Sequence, residues 1–167
     1  EIRDILKKHN VSAVFVTHSK DEAFVFADKL AIFNEGRIVQ CGDAEKLYSQ
    51  PSDKYVADFL GMANYLEARV IDSHKLDTSI GPIASDNQLN LCVGSEVEVL
   101  LRPQHIQLTS SAHGAGEVFG RRFLGNICQY QVKVAHSVLE VHSTNLGLVA
   151  GQRVDIAYQN HNLVLFS

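Results

Sequence analysis

No apolar run in this 167-residue chain approaches the roughly 20 residues that span a bilayer, so any link to a membrane has to come through a partner. The opening Glu-Ile-Arg-Asp has no basic and apolar leader, and no signal peptide is expected. Cysteine is scarce. Cys41, Cys92 and Cys128 are odd in number, widely spaced and without a CxxC pair, which excludes a disulfide framework and a zinc cluster. They read as small buried hydrophobes in a reducing compartment. The eight histidines include no i, i+4 pair with a carboxylate companion. His136 and His142 could lie on facing strands, but solvated surface positions explain them better, and no metal is assigned. A basic stripe is lacking too: residues 1–62 carry 8 basic and 10 acidic side chains and residues 63–167 carry 7 and 9, so each part is −2. Binding to a nucleic-acid backbone needs the opposite footprint. Finally, no Gly-x-x-x-x-Gly-Lys-Ser/Thr occurs, so the chain has no phosphate-cradling loop.

What is present is organised around Val14-Phe15-Val16-Thr17-His18-Ser19-Lys20-Asp21-Glu22-Ala23. Val11 to Val16 read as a short buried strand. Ser19-x-x-Glu22 spells a capping box, the start signal of a helix. In an open parallel sheet, ligands bind in the crevice beyond the strand ends. A histidine there, beside outward-pointing helix amides, is placed to meet an anion. Spacing alone leaves the plainer reading ahead: His18 caps the strand, and Ser19 and Glu22 cap the helix, worth about 1 kcal/mol.

Before this stretch, Ile2, Ile5 and Leu6 recur at helical spacing, closed by His9-Asn10. A helix that begins without a cap suggests a chain cut from something longer. After it come a two-turn helix with Ala23, Phe24 and Ala27 inward, and a strand Leu30 to Phe33. A tight turn at Asn34-Glu35-Gly36 and a returning strand Arg37 to Gln40 complete a hairpin. Asp43 is expected to cap a short helix through Tyr48, and Ser52 a second one ending before Gly61. In that helix Tyr55 with Phe59 and Val56 with Leu60 are i, i+4 apolar pairs.

From Asn64 the helical period disappears. Leu66 to Ile71, Glu96 to Leu101, Tyr130 to Ala135, Val138 to His142, Val154 to Tyr158 and Leu163 to Phe166 read as strands between turns rich in Gly, Ser, Asn and Asp. The alternation in Tyr130-Gln131-Val132-Lys133-Val134 is that of a half-buried antiparallel strand. The fold class expected is therefore an α/β segment over 1–62 followed by an all-β, OB-like small barrel over 63–167.

Two segments carry a family resemblance. Thr17-His18-x-x-x-Glu22-Ala23, continued by Ala27 to Gln40 and Gly42 and ending in Val56-Ala57-Asp58-Phe59-x-Gly61, resembles the last segment of an ABC transporter ATPase domain. Leu101-Arg102-Pro103-Gln104-His105-Ile106-Gln107-Leu108 resembles the "RPE-x-I-x-L" element of the TOBE-type accessory domain that follows it in many importers. The resemblance implies the carboxyl-terminal end of a P-loop ATPase domain plus a regulatory β domain. It implies that His18 is the catalytic, nucleotide-contacting switch histidine, hydrogen-bonded to the γ-phosphate of ATP. The family's Leu-Ser-Gly-Gly-Gln stretch and its strand ending in Asp-Glu are missing here, as is the P-loop. The resemblance therefore implies ATP and Mg2+ as requirements of a parent subunit, an ATP-hydrolysing translocase, while this stretch alone should bind neither. A second copy of the subunit, transmembrane permease subunits and an extracytoplasmic solute-binding protein are the implied partners, at the cytoplasmic face of the membrane. Ser19 departs from the family's usual Asp, which keeps the N-cap but removes a charge.

Among importer types the ferric-iron, sulfate/thiosulfate, polyamine and sugar systems come into question. Val97 to Leu108, Arg122-Phe123-Leu124-Gly125 and the Leu163 to Phe166 ending lean toward ferric iron. The rival reading is a stand-alone β-barrel that binds an oxyanion such as molybdate or senses a ligand, which leaves residues 1–62 unexplained. An OB-type nucleic-acid binder is disfavoured by charge and by the absence of interleaved aromatics; Arg121-Arg122 alone make no stripe. Arg102-Pro103 is expected to be structural, the proline stopping ladder pairing and the arginine tying down a neighbouring carboxylate.

Overall fold

A computed structural model describes residues 2–167, the side chain of Ile2 excepted. It forms two compact units, Glu1–Gly61 and Met62–Ser167.

In the first unit, helix α1 (Ile2–Lys8) ends in a Schellman turn. Asn10 stands at φ 56°, its N–H donates to the Lys7 carbonyl, and the Val11 N–H donates to the Leu6 carbonyl. Helix α2 (Lys20–Phe26) follows, then strands β1 (Leu30–Asn34) and β2 (Arg37–Gly42). The hairpin turn places Glu35 and Gly36 at positive φ, as the right-handed twist of its strands requires. Helices α3 (Ala44–Ser49) and α4 (Lys54–Leu60) complete the unit. Its small core is Leu30, Ile32, Leu47, Val56 and Leu60, with Ala23, Phe24 and Ala27 packed against it as their spacing predicts.

Two expectations fail here. Val11 to Val16 are not a buried strand: they are irregular and exposed, Val14 at 95% and Val16 at 90%. A strand needs a neighbour to take its backbone N–H and C=O groups, and none of the described strands pairs with this segment: the sheet of this unit is β1 with β2 alone. Ser52 does not cap α4. Asp53 does, its carboxylate accepting from the Val56 N–H at 2.9 Å, a stronger acceptor one residue nearer the first turn.

The second unit consists of β3 (Asn64–Asp72), β4 (Lys75–Thr78), β5 (Ile83–Ala84), β6 (Glu96–Leu101), a 3-10 turn at Pro103–His105, β7 (Ile106–Ser110), β8 (Gly116–Phe123), β9 (Cys128–Val134), β10 (Ser137–Ser143), β11 (Arg153–Tyr158) and β12 (Leu165–Phe166). Two antiparallel five-stranded sheets result, in the orders β12-β6-β3-β4-β5 and β10-β9-β8-β11-β7. They enclose one core, an OB-like all-β domain. Alternation decides which residues enter it: Leu66, Ala68 and Val70 from β3, Val97, Val99 and Leu101 from β6, and Cys128, Tyr130, Val132 and Val134 from β9. Of the cysteines only Cys128 is buried. Cys41 and Cys92 are exposed, against expectation, because Cys41 faces outward on β2 and Cys92 lies in a loop. Strands β4, β5, β7 and β8 escaped the sequence reading. β4 buries only Leu76, β5 has two residues, and β8 is interrupted by a bulge between Val118 and Gly120. Gly114 is required sterically, since a Cβ there would run into the Val154 backbone.

Candidate functional site

His18 lies in the bend between the Val11–Val16 segment and α2, with its side chain exposed. The residues on either side of it are held by hydrogen bonds. Ser19, the N-cap, accepts the Glu22 N–H on its hydroxyl at 3.3 Å. The other half of a capping box would bring the Glu22 carboxylate back to the Ser19 N–H. Instead that N–H donates to the Thr17 hydroxyl at 3.0 Å, and the Thr17 hydroxyl donates to Glu22 Oε2 at 2.6 Å. The expected box is thus only half formed, with Thr17 inserted in its return arm. Further round the unit, Asp28 receives Arg3 at 2.9 Å and Lys7 at 3.3 Å. Those two cations hold its carboxyl below the usual carboxylate range.

An imidazole so placed can give or take one hydrogen bond to an anion. The described residues around it form no cradle for a nucleotide: there is no glycine-rich loop, and α2 begins with Lys20, Asp21 and Glu22.

The β domain has its own polar centre. Asn64 occupies a position on β3 whose inward neighbours Leu66, Ala68 and Val70 are apolar, and it is buried. Its amide nitrogen donates to the carbonyls of Leu101 (3.2 Å) and Glu140 (2.9 Å), and its oxygen accepts from the Glu140 N–H (2.7 Å). One side chain thereby ties β3 and β6 of the first sheet to β10 of the second. Arg102 is buried at 3% exposure and donates to the Met62 carbonyl at 3.1 Å, a structural tie made to a backbone carbonyl where a carboxylate was expected. Pro103 opens the 3-10 turn directly after β6. In the same turn His105 packs edge-on against Tyr158, with Nδ1 buried and lacking a hydrogen-bond partner. Burial, and then the Arg102 charge, lower its pKa from the ordinary 6.5. Tyr130, fully buried, donates to the Asn145 carbonyl at 2.7 Å, and burial raises its pKa.

His136 and His142 are not on facing strands: His136 lies in the β9–β10 turn and His142 in β10 itself. Among the described residues no three His, Cys, Asp or Glu side chains are grouped to hold a metal ion. A groove on the outer face of the first sheet is lined by Glu67, Glu96, Glu98 and Asp77 with Arg69 and His136. In it Glu67 stands directly across from Glu98, a like-charge pairing that does not help the sheet. Sequence reasoning missed Asn64, for which a polar residue heading the inward series of β3 was the available signal, and it quoted Thr17 within the family motif without giving it a role.

Residues 99–166 match the family model described as TOBE domain. The chain is 30% identical over 160 residues to "Spermidine/putrescine import ATP-binding protein PotA 1" of Pseudomonas aeruginosa, an alignment covering 87% of this chain and 42% of that protein. It is 30% identical over 165 residues to "Fe(3+) ions import ATP-binding protein FbpC 2" of Pectobacterium atrosepticum, covering 93% and 46%. Among solved structures, a molybdate-bound form described as the cytoplasmic molybdate-binding protein ModG matches with TM-score 0.48 and 16% identity, covering 62% of this chain and 94% of that one. The family match assigns a TOBE domain to residues 99–166, within the all-β unit. The chain is homologous, along its whole length, to the carboxyl-terminal region of the ATP-binding subunits of ABC importers. It spans less than half the length of the curated relatives quoted.

Proposed function

We propose that this chain is the carboxyl-terminal part of an importer's ATP-binding subunit, with 1–62 ending the ATPase domain and 63–167 forming the accessory regulatory domain. The observation that carries this is the similarity of nearly the whole chain to import ATP-binding proteins. Its first unit supports the same reading, because Val14-Phe15-Val16 have a strand's composition and stand exposed. Strands contributed by a longer subunit would cover them. His18 would then sit at a strand end in an α/β sheet and reach the γ-phosphate of ATP as substrate, while the phosphate cradle and the Mg2+ site come from elsewhere in that subunit.

The parent couples ATP hydrolysis to solute uptake at the cytoplasmic face of the membrane, working with permease subunits, a solute-binding protein and a second copy of itself. Among the described residues no helix is long and apolar enough to cross a membrane. The sequence leans toward ferric iron, but polyamine importers stand equally close among the relatives, so the cargo class is drawn as polyamine or ferric iron. The test is His18→Ala in the intact subunit assembled with its permease. ATP hydrolysis and uptake should both fall severely; retention of both overturns the reading.

A further inference from the structure

We propose that Thr17 and Glu22 form a relay that fixes the bend carrying His18, which makes Glu22 a positioning residue for that histidine. The geometry of the bend carries the argument, and only its meaning for ATP chemistry rests on the function proposed above. Helix capping accounts for the Ser19 hydroxyl accepting the Glu22 N–H. It does not account for Thr17. The Thr17 hydroxyl spends its acceptor on the Ser19 N–H at 3.0 Å and its proton on Glu22 Oε2 at 2.6 Å. A bond from the side chain of residue 17 to the amide of residue 19 spans His18 and restricts the backbone on both sides of it. The short bond to an ionised carboxylate is of the stronger kind, and it sets the direction of the hydroxyl proton. The hydroxyl lone pair is thereby kept toward the Ser19 amide.

Packing holds α2 from its other side: Ala23, Phe24 and Ala27 lie against the core of the unit, and Phe15 meets Phe26 at 6.1 Å between ring centroids. None of these contacts reaches the backbone on either side of His18, which the Thr17 bonds restrict while leaving the imidazole itself facing solvent. Glu22, one helical turn from Ser19, acts on His18 through Thr17 without touching it.

The experiment compares wild type, Thr17→Val, Thr17→Ser and Glu22→Gln in two settings. In the full chain as it stands, amide hydrogen exchange of Ser19 is read by NMR. Thr17→Val should speed it about tenfold, the loss expected for one charge-linked hydrogen bond. Thr17→Ser, which keeps the hydroxyl, should restore it to within about threefold, and Glu22→Gln should fall between. Equal exchange rates in wild type and Thr17→Val overturn the relay. In the intact ATP-binding subunit, Thr17→Val should lower kcat with KM for ATP unchanged, and Thr17→Ser should rescue it. If the exchange result holds while His18→Ala leaves hydrolysis intact, the relay stands and the ATPase reading fails. If His18→Ala abolishes hydrolysis while Thr17→Val does not alter kcat, the positioning role is overturned.

Discussion

The two units of this chain bury their apolar residues to very different degrees. Met62–Ser167 packs Leu66, Val99, Val118, Tyr130, Val132 and Leu139 among twenty buried residues of one core. The first unit, with a comparable supply of valine, phenylalanine and isoleucine, gathers five buried residues into its core and leaves Val14, Phe15, Val16, Val25 and Phe33 exposed. Burial of a large apolar side chain is worth about 1.5–3 kcal/mol, so the second unit contains what stabilises it and the first holds residues whose gain is not collected within it. An apolar segment can therefore mark a strand without forming one. Its hydrogen-bonding partners have to be present as well.

The largest expected effect sharpens this contrast. Leu66→Ala, at 1% exposure, should destabilise the β domain by about 2–5 kcal/mol in urea unfolding. Val14→Ala should change the same transition by no more than about 0.5 kcal/mol. A loss at Val14 as large as at Leu66 would break the comparison. Next comes the tie between the sheets: Asn64→Leu removes three hydrogen bonds and strands buried backbone groups on β6 and β10, for about 2–3 kcal/mol. An unchanged midpoint would show that the sheets hold together without it.

Within the first unit, Asp53→Ala should cost about 1 kcal/mol of α4 by removing the bond to Val56, read as a loss of helical circular dichroism on mild heating. The same change at Ser52 should do nothing, since Asp53 is the cap. The smallest effect is a pH dependence at His105. Its folded pKa is depressed, so above the ordinary 6.5 the ring is neutral in both states and the fold keeps its full stability. As pH falls below 6.5 the unfolded chain binds the proton more readily, and stability is lost until the lowered folded value is passed. His105→Gln should flatten that part of the difference curve. An identical acid slope in both proteins would remove His105 as its source.

The same contrast explains what could be read from the sequence. Strands whose alternation is completed by neighbours in the chain were legible, as with β3, β6, β9, β10 and β11, because period-two patterning and burial agree there. The hairpin turn at Glu35-Gly36 and the pairing of Tyr55 with Phe59 were legible for the same local reason. Val11 to Val16 misled, since propensity records which residues suit a strand and not whether a neighbour is present. The site was half legible. His18 and the Ser19 cap stand out by spacing, whereas the Thr17–Glu22 bond departs from the ordinary capping box and only coordinates reveal it. Strand β8 was hidden by its bulge, which shifts the alternation by one residue at Phe119.

Amide hydrogen exchange across the whole chain tests most directly the claim that one unit is self-sufficient and the other is not. Val99, Val118 and Val132 should exchange only through global unfolding of the β domain, while Val14, Phe15 and Val16 exchange at close to free-peptide rates. Protection of Val14 to Val16 equal to that of the β-domain core would contradict the account, because it would mean that this segment already has its strand partners within the chain.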